Sequence, residues 1–165
     1  MELNLLPVLN CEGKRLPVDV SLEIESRQGD LFRILSPVVL KGQVVNIGGC
    51  LELEARGSVT LEFTCDRCCD TFSEEVVFNI EEKFKKEERE DIPQENPDIT
   101  VIVGNVIDLD EIAYDGLALS LPSKVLCSED CKGLCANCGQ NLNEGQCECD
   151  TRPTDPRFDA LDKLL

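Results

Sequence analysis

The chain has 165 residues, 42% hydrophobic and 30% charged, which suits one ordinary folded domain with its own core and a hydrated surface. Its 33 acidic and 16 basic residues give a formal net charge of −17, which opposes direct binding to a phosphate backbone, because that binding depends on Lys and Arg. No run of about 18 apolar residues is present and the first 15 residues lack the features of a secretory signal, so we expect neither a transmembrane helix nor export.

Alternation of apolar and polar residues predicts β-strands through the first half of the chain. The first run has an apolar side chain at every second position: Leu16, Val18, Val20, Leu22 and Ile24. Further stretches share the strand pattern: 38–44, 51–55, 59–63 and 74–80. Gly48-Gly49 predicts a hairpin turn, and Arg56-Gly57 predicts a break between two strands. We therefore expect a mostly antiparallel β core.

Residues 81–98 differ from the stretches on either side. Charged residues dominate this segment, and it contains two prolines. Such a composition predicts a solvated loop or a short exposed helix, because few of its side chains can enter a core. We place an acidic linker at 85–99.

A helix is predicted after this segment. Asp108 and Glu111, three residues apart, have the spacing of a capping box, and Pro122 ends the helix. Its apolar side chains fall on one face: Leu109, Ile112, Ala113 and Leu117. This helix is expected to cover one face of the sheet.

The last residues predict a second, short amphipathic helix. Asp155 is its expected N-cap and Pro156 its first helical residue. An apolar stripe follows, formed by Phe158, Leu161, Leu164 and Leu165. The stripe either folds back on the core of this chain or faces a partner.

These elements predict an α+β fold with three parts. A β-rich core with a covering helix takes residues 1–126, a Cys-rich zinc-ribbon-like segment takes 127–150, and the C-terminal helix takes 151–165. The core also contains one CxxC motif.

The chain contains eleven cysteines and no histidine. Without export the compartment is reducing, which favours metal ligands over disulfides, and an odd number of thiols cannot all pair. Cys135 and Cys138, followed by Gly139, form a CxxCG turn, and Cys147 and Cys149 return after a turn-rich segment. Four thiolates so arranged predict one tetrahedral Zn²⁺ site.

Four more cysteines form two incomplete sites. Cys65 and Cys68 make a CxxC motif at the end of a predicted strand, and Cys127 and Cys131 lie about 60 residues downstream. Matching the two half-sites predicts a second Zn²⁺ site that joins distant parts of the chain, because metal binding offsets the entropy of closing a long loop. Substitution of Cys69 for Cys68 and a merged arrangement of ligands are alternatives. We expect Cys11, Cys50 and Cys69 to be small buried apolar residues.

We expect both ions to be structural. Catalytic zinc keeps an open coordination position, usually with His or carboxylate ligands, and four thiolates leave none. No phosphate loop, dinucleotide motif or catalytic triad is present in the sequence, so we predict no enzyme and no small-molecule substrate. An iron–sulfur cluster is the rival cofactor. A thiol-based redox or metal-responsive regulator is the alternative function, since Arg67 lies inside the first CxxC motif.

A longer set of motifs resembles a known family. The upstream CDRC, the helix that leads into LALSLP, the string CxxxCKGLCxxCGxNLN with its later CxC, and the terminal DPRFDALDKLL resemble the YceD family of large ribosomal RNA subunit accumulation proteins. The resemblance covers residues 50–165. It implies a cytoplasmic factor that supports synthesis, processing or accumulation of large-subunit (23S) rRNA. No catalytic activity is implied.

The charge suggests how such a factor reaches RNA. A strongly acidic protein attracts a basic partner, such as a large-subunit ribosomal protein or another assembly factor. Direct RNA binding by the cysteine-rich segment is not expected, because residues 127–150 contain one basic residue, Lys132, and five acidic residues. We therefore expect an indirect route through a protein partner.

Overall fold

The computed structural model describes residues 1–86 and 99–149. The elements of the described residues are, in chain order, β1 Glu2–Asn4, α1 Leu6–Leu9, β2 Arg15–Leu22, β3 Phe32–Ile34, β4 Val38–Ile47, β5 Cys50–Thr64, β6 Thr71–Lys86, β7 Thr100–Ile102, β8 Val106–Asp108 and α2 Leu109–Ser120. Neither helix is long and apolar enough to cross a membrane. The predicted helix at 151–165 and most of the predicted linker at 85–99 lie outside the described residues.

The chain divides into two compact units. The first contains Met1–Phe63 and Ser73–Ser123, and the second contains Thr64–Phe72 together with Lys124–Leu165. The second unit thus includes the loop between β5 and β6. The domain boundaries predicted after residues 126 and 150 stay predictions.

The described residues of the first unit form two sheets. In the larger one the strand order is β2-β4-β5-β6-β7, with β3 paired to β5, and β1 and β8 form a small sheet of their own. The pairs β2–β4, β3–β5, β4–β5 and β1–β8 are antiparallel, whereas β6 and β7 run parallel. The predicted α+β class with a mostly antiparallel core is confirmed.

The turn between β4 and β5 agrees with the sequence pattern. Ile47 pairs with Cys50, so the hairpin closes through the two residues Gly48 and Gly49. Their φ angles are 60° and 87°, and a two-residue turn with positive φ at both positions matches the twist of the strands that it joins. Glycine adopts this conformation without steric cost.

The break predicted at Arg56-Gly57 is wrong, because β5 runs without interruption from Cys50 to Thr64. Gly57 lies opposite Leu40 in the ladder. A Cβ atom at Gly57 would lie 2.3 Å from Cζ of Phe78, so the glycine makes room for an aromatic ring rather than for a turn.

The loop or helix predicted from residue 81 is wrong for residues 81–86, which continue β6 to Lys86. Phe84 is buried within this charged stretch and lies opposite Thr100 of β7. One buried aromatic side chain and a neighbouring strand are sufficient to keep an otherwise polar segment extended.

Helix α2 begins as predicted, but of the predicted apolar face Ile112 is only partly buried. The carboxylate of Asp108 accepts a hydrogen bond from the N–H of Asp110, which makes Asp108 the N-cap. A Cβ atom on Gly116 would lie 2.8 Å from Ile80, so the helix packs closely on β6. Tyr114, absent from the predicted apolar face, is also buried. Its hydroxyl donates to Asp30, which gives the ring a polar partner.

Candidate metal centres

The loop that joins β5 to β6 is a tight knuckle. The N–H of Cys65 donates to the carbonyl of Asp70 at 2.9 Å, and the N–H of Cys69 donates back to the carbonyl of Cys65 at 2.9 Å. Cys69 has a φ of 61°. The turn brings Cys65 and Cys68 to one side, from which both sulfurs can bind the same ion.

A second knuckle repeats this arrangement. The N–H of Cys135 donates to the carbonyl of Gln140 at 2.8 Å, and the N–H of Gly139 donates to the carbonyl of Cys135 at 2.9 Å. Gly139 has a φ of 74°. The two CxxC motifs therefore form the same hydrogen-bonded turn, an equivalence that their common spacing indicates and that the sequence analysis overlooked.

The structure brings Cys65, Cys68, Cys127 and Cys131 together as the first thiol group. Sγ of Cys65 lies 3.8 Å from Sγ of Cys131, and Sγ of Cys68 lies 3.6 Å from Sγ of Cys127. Sulfurs bound tetrahedrally at about 2.3 Å from one zinc ion lie about 3.8 Å apart, so the group has the dimensions of a single-ion site. These distances greatly exceed the roughly 2.05 Å of a disulfide bond, and all eleven cysteines are free thiols.

Cys135, Cys138, Cys147 and Cys149 form the second thiol group. As in the first group, the four sulfurs lie within 4.8 Å of one another. Cys135 is buried, Cys147 and Cys149 are half-buried, and Cys138 is exposed. Both groups offer four soft donors close enough to share one ion, the ligand set that a structural zinc ion takes.

The backbone of each knuckle favours the ionised form of its first thiol. The N–H of Cys68, supported by that of Arg67, donates to the sulfur of Cys65 and lowers the pKa of this thiol from 9.0 to about 6, against the opposing effect of burial. The N–H groups of Cys138 and Asn137 act in the same way on Cys135, whose pKa also falls to about 6. Such lowered values are typical of metal-binding thiols.

Not all four thiols in a group ionise easily together. The thiol of Cys138, followed by desolvation, raises the pKa of Cys149 to about 12. At Cys68 the N–H of Asp70 lowers the pKa, but desolvation and the neighbouring Cys65 together raise it overall. Crowded thiols resist complete deprotonation because like charges repel, and a bound divalent cation removes that penalty.

Side chains around the first group also contact it, and the sequence analysis assigned them no such role. The guanidinium of Arg67 donates to the carbonyl of Cys131 at 2.7 Å. The amide of Asn143 donates to Sγ of Cys131 at 3.3 Å and lowers the pKa of that thiol. Hydrogen bonds of this kind orient metal ligands and hold them in place.

Burial in the second unit is almost confined to its cysteines. Among its described residues, the buried side chains are Cys65, Cys68, Cys131 and Cys135. Phe72 and Leu126 pack against the first group but are only partly buried. The described part of this unit therefore lacks the apolar core that ordinarily stabilises a small fold.

The three remaining cysteines differ from expectation. Cys11 and Cys69 are exposed and Cys50 is half-buried, so the prediction of small buried residues is wrong for the first two. Cys69 is exposed although Cys65 and Cys68 of the same knuckle are buried. None of the three belongs to either thiol group.

Comparison with known proteins gives partial matches. A chloroplastic protein of Arabidopsis thaliana, named large ribosomal RNA subunit accumulation protein YCED homolog 1, is 33% identical over 58 residues, which are 35% of this chain and 18% of that protein. An uncharacterized protein of Mycobacterium leprae is 42% identical over 41 residues, 25% of this chain and 19% of its own. One from Mycobacterium bovis is 32% identical over 79 residues, 47% of this chain and 38% of its own. The matches thus span less than two-fifths of each relative.

No solved structure matches the chain significantly. A family model, described as large ribosomal RNA subunit accumulation protein YceD, matches residues 51–165. The match covers more than two-thirds of the chain and includes both thiol groups. The chain therefore belongs to the YceD family.

Proposed function

We propose that the two thiol groups each hold one structural zinc ion and that these ions fold the second unit. The observation that carries this proposal is the burial pattern: where the second unit is described, the buried side chains are metal-site cysteines, with no apolar core beside them. Metal binding supplies the missing folding free energy in domains of this kind. Bound zinc would be held by Cys65, Cys68, Cys127 and Cys131 at one site, and by Cys135, Cys138, Cys147 and Cys149 at the other.

The spacing of the sulfurs favours a single ion over an iron–sulfur cluster. All ligand atoms of a group lie within 4.8 Å of one another. In a cluster the four thiolates are divided among two or four irons, so they cannot all lie as close together as four ligands that share one ion. Metal analysis of purified protein is expected to give two zinc ions per chain and a colourless solution.

At the level of the cell, the protein is proposed to be a non-enzymatic, cytoplasmic accessory factor that supports accumulation of large-subunit (23S) rRNA. Membership of the YceD family and the name of the Arabidopsis relative support this role. The filled sites would have no open coordination position, which fits a structural rather than a catalytic function.

A basic protein, such as a large-subunit ribosomal protein or an assembly factor, is the proposed partner. The described part of the second unit has six acidic residues, all exposed, against three basic ones. Each zinc ion with four thiolates adds a net charge of about −2. One of the three cations, the exposed Arg67, donates a hydrogen bond to the carbonyl of Cys131. A surface of this charge repels RNA and attracts basic protein segments.

Depletion and complementation test the cellular role. Loss of the protein is expected to lower the ratio of 23S to 16S rRNA, and wild-type protein should restore it, whereas a Cys135→Ser/Cys138→Ser variant should not. Cys11→Ser is the matched control, because this exposed thiol belongs to neither group. Affinity purification from extract should recover a basic protein. RNA that persists after protein removal, with no ribosomal protein or assembly factor present, would count against the proposed partner.

A redox or metal-responsive regulator is the second candidate. It is favoured by the pKa of about 6 at Cys65 and Cys135, because thiolates react with oxidants more readily than thiols. This reading predicts that mild oxidation releases zinc and changes partner binding in the folded protein. A purely structural site predicts that zinc and partner binding are lost only when the second unit unfolds.

A further inference from the structure

The chain between the two halves of the second thiol group lies against the first group. Residues 139–143 run beside residues 131–135, joined by an antiparallel bridge between Leu134 and Asn141. The N–H of Leu142 donates to the carbonyl of Gly133 at 2.9 Å. These residues follow Cys138 and precede Cys147, so both ends of the segment are fixed by ligands of the second group.

Asn143 contacts the first group from this segment. Its Nδ2 donates to Sγ of Cys131 at 3.3 Å, and its Oδ1 accepts the N–H of Lys132 at 2.8 Å. One amide thus holds the sulfur of a first-group ligand and the backbone next to it. Both contacts exist only when residues 139–143 are folded onto residues 131–135.

Asn141 fixes the same segment to the knuckle that carries Cys65 and Cys68. Its Nδ2 donates to Asp70, which ends the knuckle of Cys65, at 2.8 Å. Its Oδ1 accepts the N–H of Asn143 at 3.0 Å, which positions Asn143. The segment therefore contacts one ligand of the first group, Cys131, and the knuckle that carries two others, and its own ends are fixed by ligands of the second group.

We propose that residues 141–143 couple the two metal sites. Metal binding at the second site folds this segment against residues 131–135. Asn143, a positioning residue, then holds Sγ of Cys131 in its ligand geometry. The inference rests on the proposed metal binding and deepens it, because it makes filling of the two sites cooperative rather than independent. By linkage, each ion raises the affinity for the other by the same factor. An unfilled second site leaves Cys131 without its amide donor.

Zinc affinity measured by competition with a chromogenic chelator, on the full chain under reducing conditions, tests the coupling. Asn143→Ala is expected to weaken the first site by about 10- to 100-fold, the usual effect of removing a hydrogen-bond partner of a metal ligand. Cys147→Ser/Cys149→Ser, which removes half of the second site, should weaken the first site comparably. The combined variant should be no weaker at the first site than either alone, because both changes remove the same contact.

Two further substitutions separate the donor role of Asn143 from its place in the turn. Asn143→Asp keeps an acceptor for the N–H of Lys132 but cannot donate to sulfur, so it should weaken the first site at least as much as alanine. Gln146→Ala is the matched control, since this exposed amide is in the same loop and makes no hydrogen bond within the described residues; its affinities should equal those of the wild type.

¹¹³Cd NMR gives a readout that general destabilisation would not reproduce. The wild-type chain loaded with ¹¹³Cd²⁺ should show two resonances, and Asn143→Ala should shift only the one that survives in Cys147→Ser/Cys149→Ser. Two ions that bind independently, with the first site unaffected by Asn143→Asp, would overturn the coupling while leaving the proposed metal binding intact. Fewer than two ions per wild-type chain would overturn both.

Discussion

Cys69 occupies in the first knuckle the position that Gly139 occupies in the second. The N–H of each donates at 2.9 Å to the carbonyl of the cysteine four residues earlier, and their φ angles are 61° and 74°. A left-handed conformation is ordinary for glycine but costs a residue with a Cβ about 1–2 kcal/mol. The first knuckle therefore carries backbone strain that the second does not.

Exchange of the two residue types tests this strain. Cys69→Gly is expected to leave zinc binding intact and to stabilise the second unit by up to about 1 kcal/mol, whereas Gly139→Ala should destabilise it by about 1–2 kcal/mol. Zinc content and the resistance of bound zinc to a chelator measure the effect. Loss of one zinc ion from Cys69→Gly would show instead that Cys69 is a ligand, as the alternative pairing requires.

Gly57 gives a prediction for the sheet. Because its Cβ would fall 2.3 Å from Cζ of Phe78, Gly57→Ala should destabilise the first unit by about 1–3 kcal/mol. This cost exceeds the stabilisation of roughly 0.4–1 kcal/mol that a Gly→Ala change gives by reducing the conformational entropy of the unfolded chain. Urea unfolding followed by fluorescence of Tyr114, the one tyrosine in the chain, reports on this unit.

Ser58→Ala is the control for Gly57, since the next residue of β5 points to the other face of the sheet. Combination of Gly57→Ala with Phe78→Leu should cost less than the sum of the single changes, because the smaller side chain relieves the clash. Additive costs would mean that the ring of Phe78 is not what requires a glycine.

The sequence pattern and the structure agree where the determinants are local. The alternation of apolar residues located β2, β4, β5 and β6, and Gly48-Gly49 located a hairpin, whereas the three-residue strands β1, β3, β7 and β8 are too short to show such a pattern. The strand break predicted at Gly57 was wrong because one sequence does not distinguish a glycine that packs under an aromatic ring from a glycine in a turn. The loop or helix predicted at residues 81–86 was wrong because burial of Phe84 and its pairing with β7 keep this charged segment in a strand. Asn143 could not be found, since its contact with Cys131 depends on how residues 139–143 fold back.

Asn46 is expected to be essential to the first unit. It is buried, and its amide donates to the carbonyls of Val8 and Leu9 at the end of α1, at 2.8 and 3.0 Å. Asn46→Ala removes both side-chain hydrogen bonds and leaves the carbonyl of Val8 with the weaker donor N–H of Cys11 at 3.3 Å. This loss should cost about 1–3 kcal/mol in the free energy of unfolding. Asn79→Ala, an exposed asparagine of β6, is the control and should change it little. Equal effects of the two variants would contradict a capping role for Asn46.

Zinc retention should depend on pH. The pKa of Cys65 and of Cys135 is lowered from 9.0 to about 6. The stability that each thiolate adds to the folded second unit is therefore fully present above pH 9 and is lost as the pH falls through about 6. Protons and zinc compete for the same sulfurs, so zinc affinity should fall steadily between pH 7.5 and 5.5. Chelator competition at several pH values measures this, and an affinity independent of pH would exclude thiolate ligands.

Removal of zinc should unfold one unit and spare the other. The first unit has an apolar core that includes Leu40, Leu53 and Leu61, whereas the described second unit buries only metal-site cysteines among its side chains. After chelation, hydrogen exchange should become fast in residues 64–72 and 124–149 and remain slow in β4 and most of β5. Added zinc should restore protection, and Cys11→Ser should behave like the wild type. Protection that persists in residues 124–149 without metal would refute a structural role for the ions, because those residues would then fold without any source of burial other than the thiols themselves.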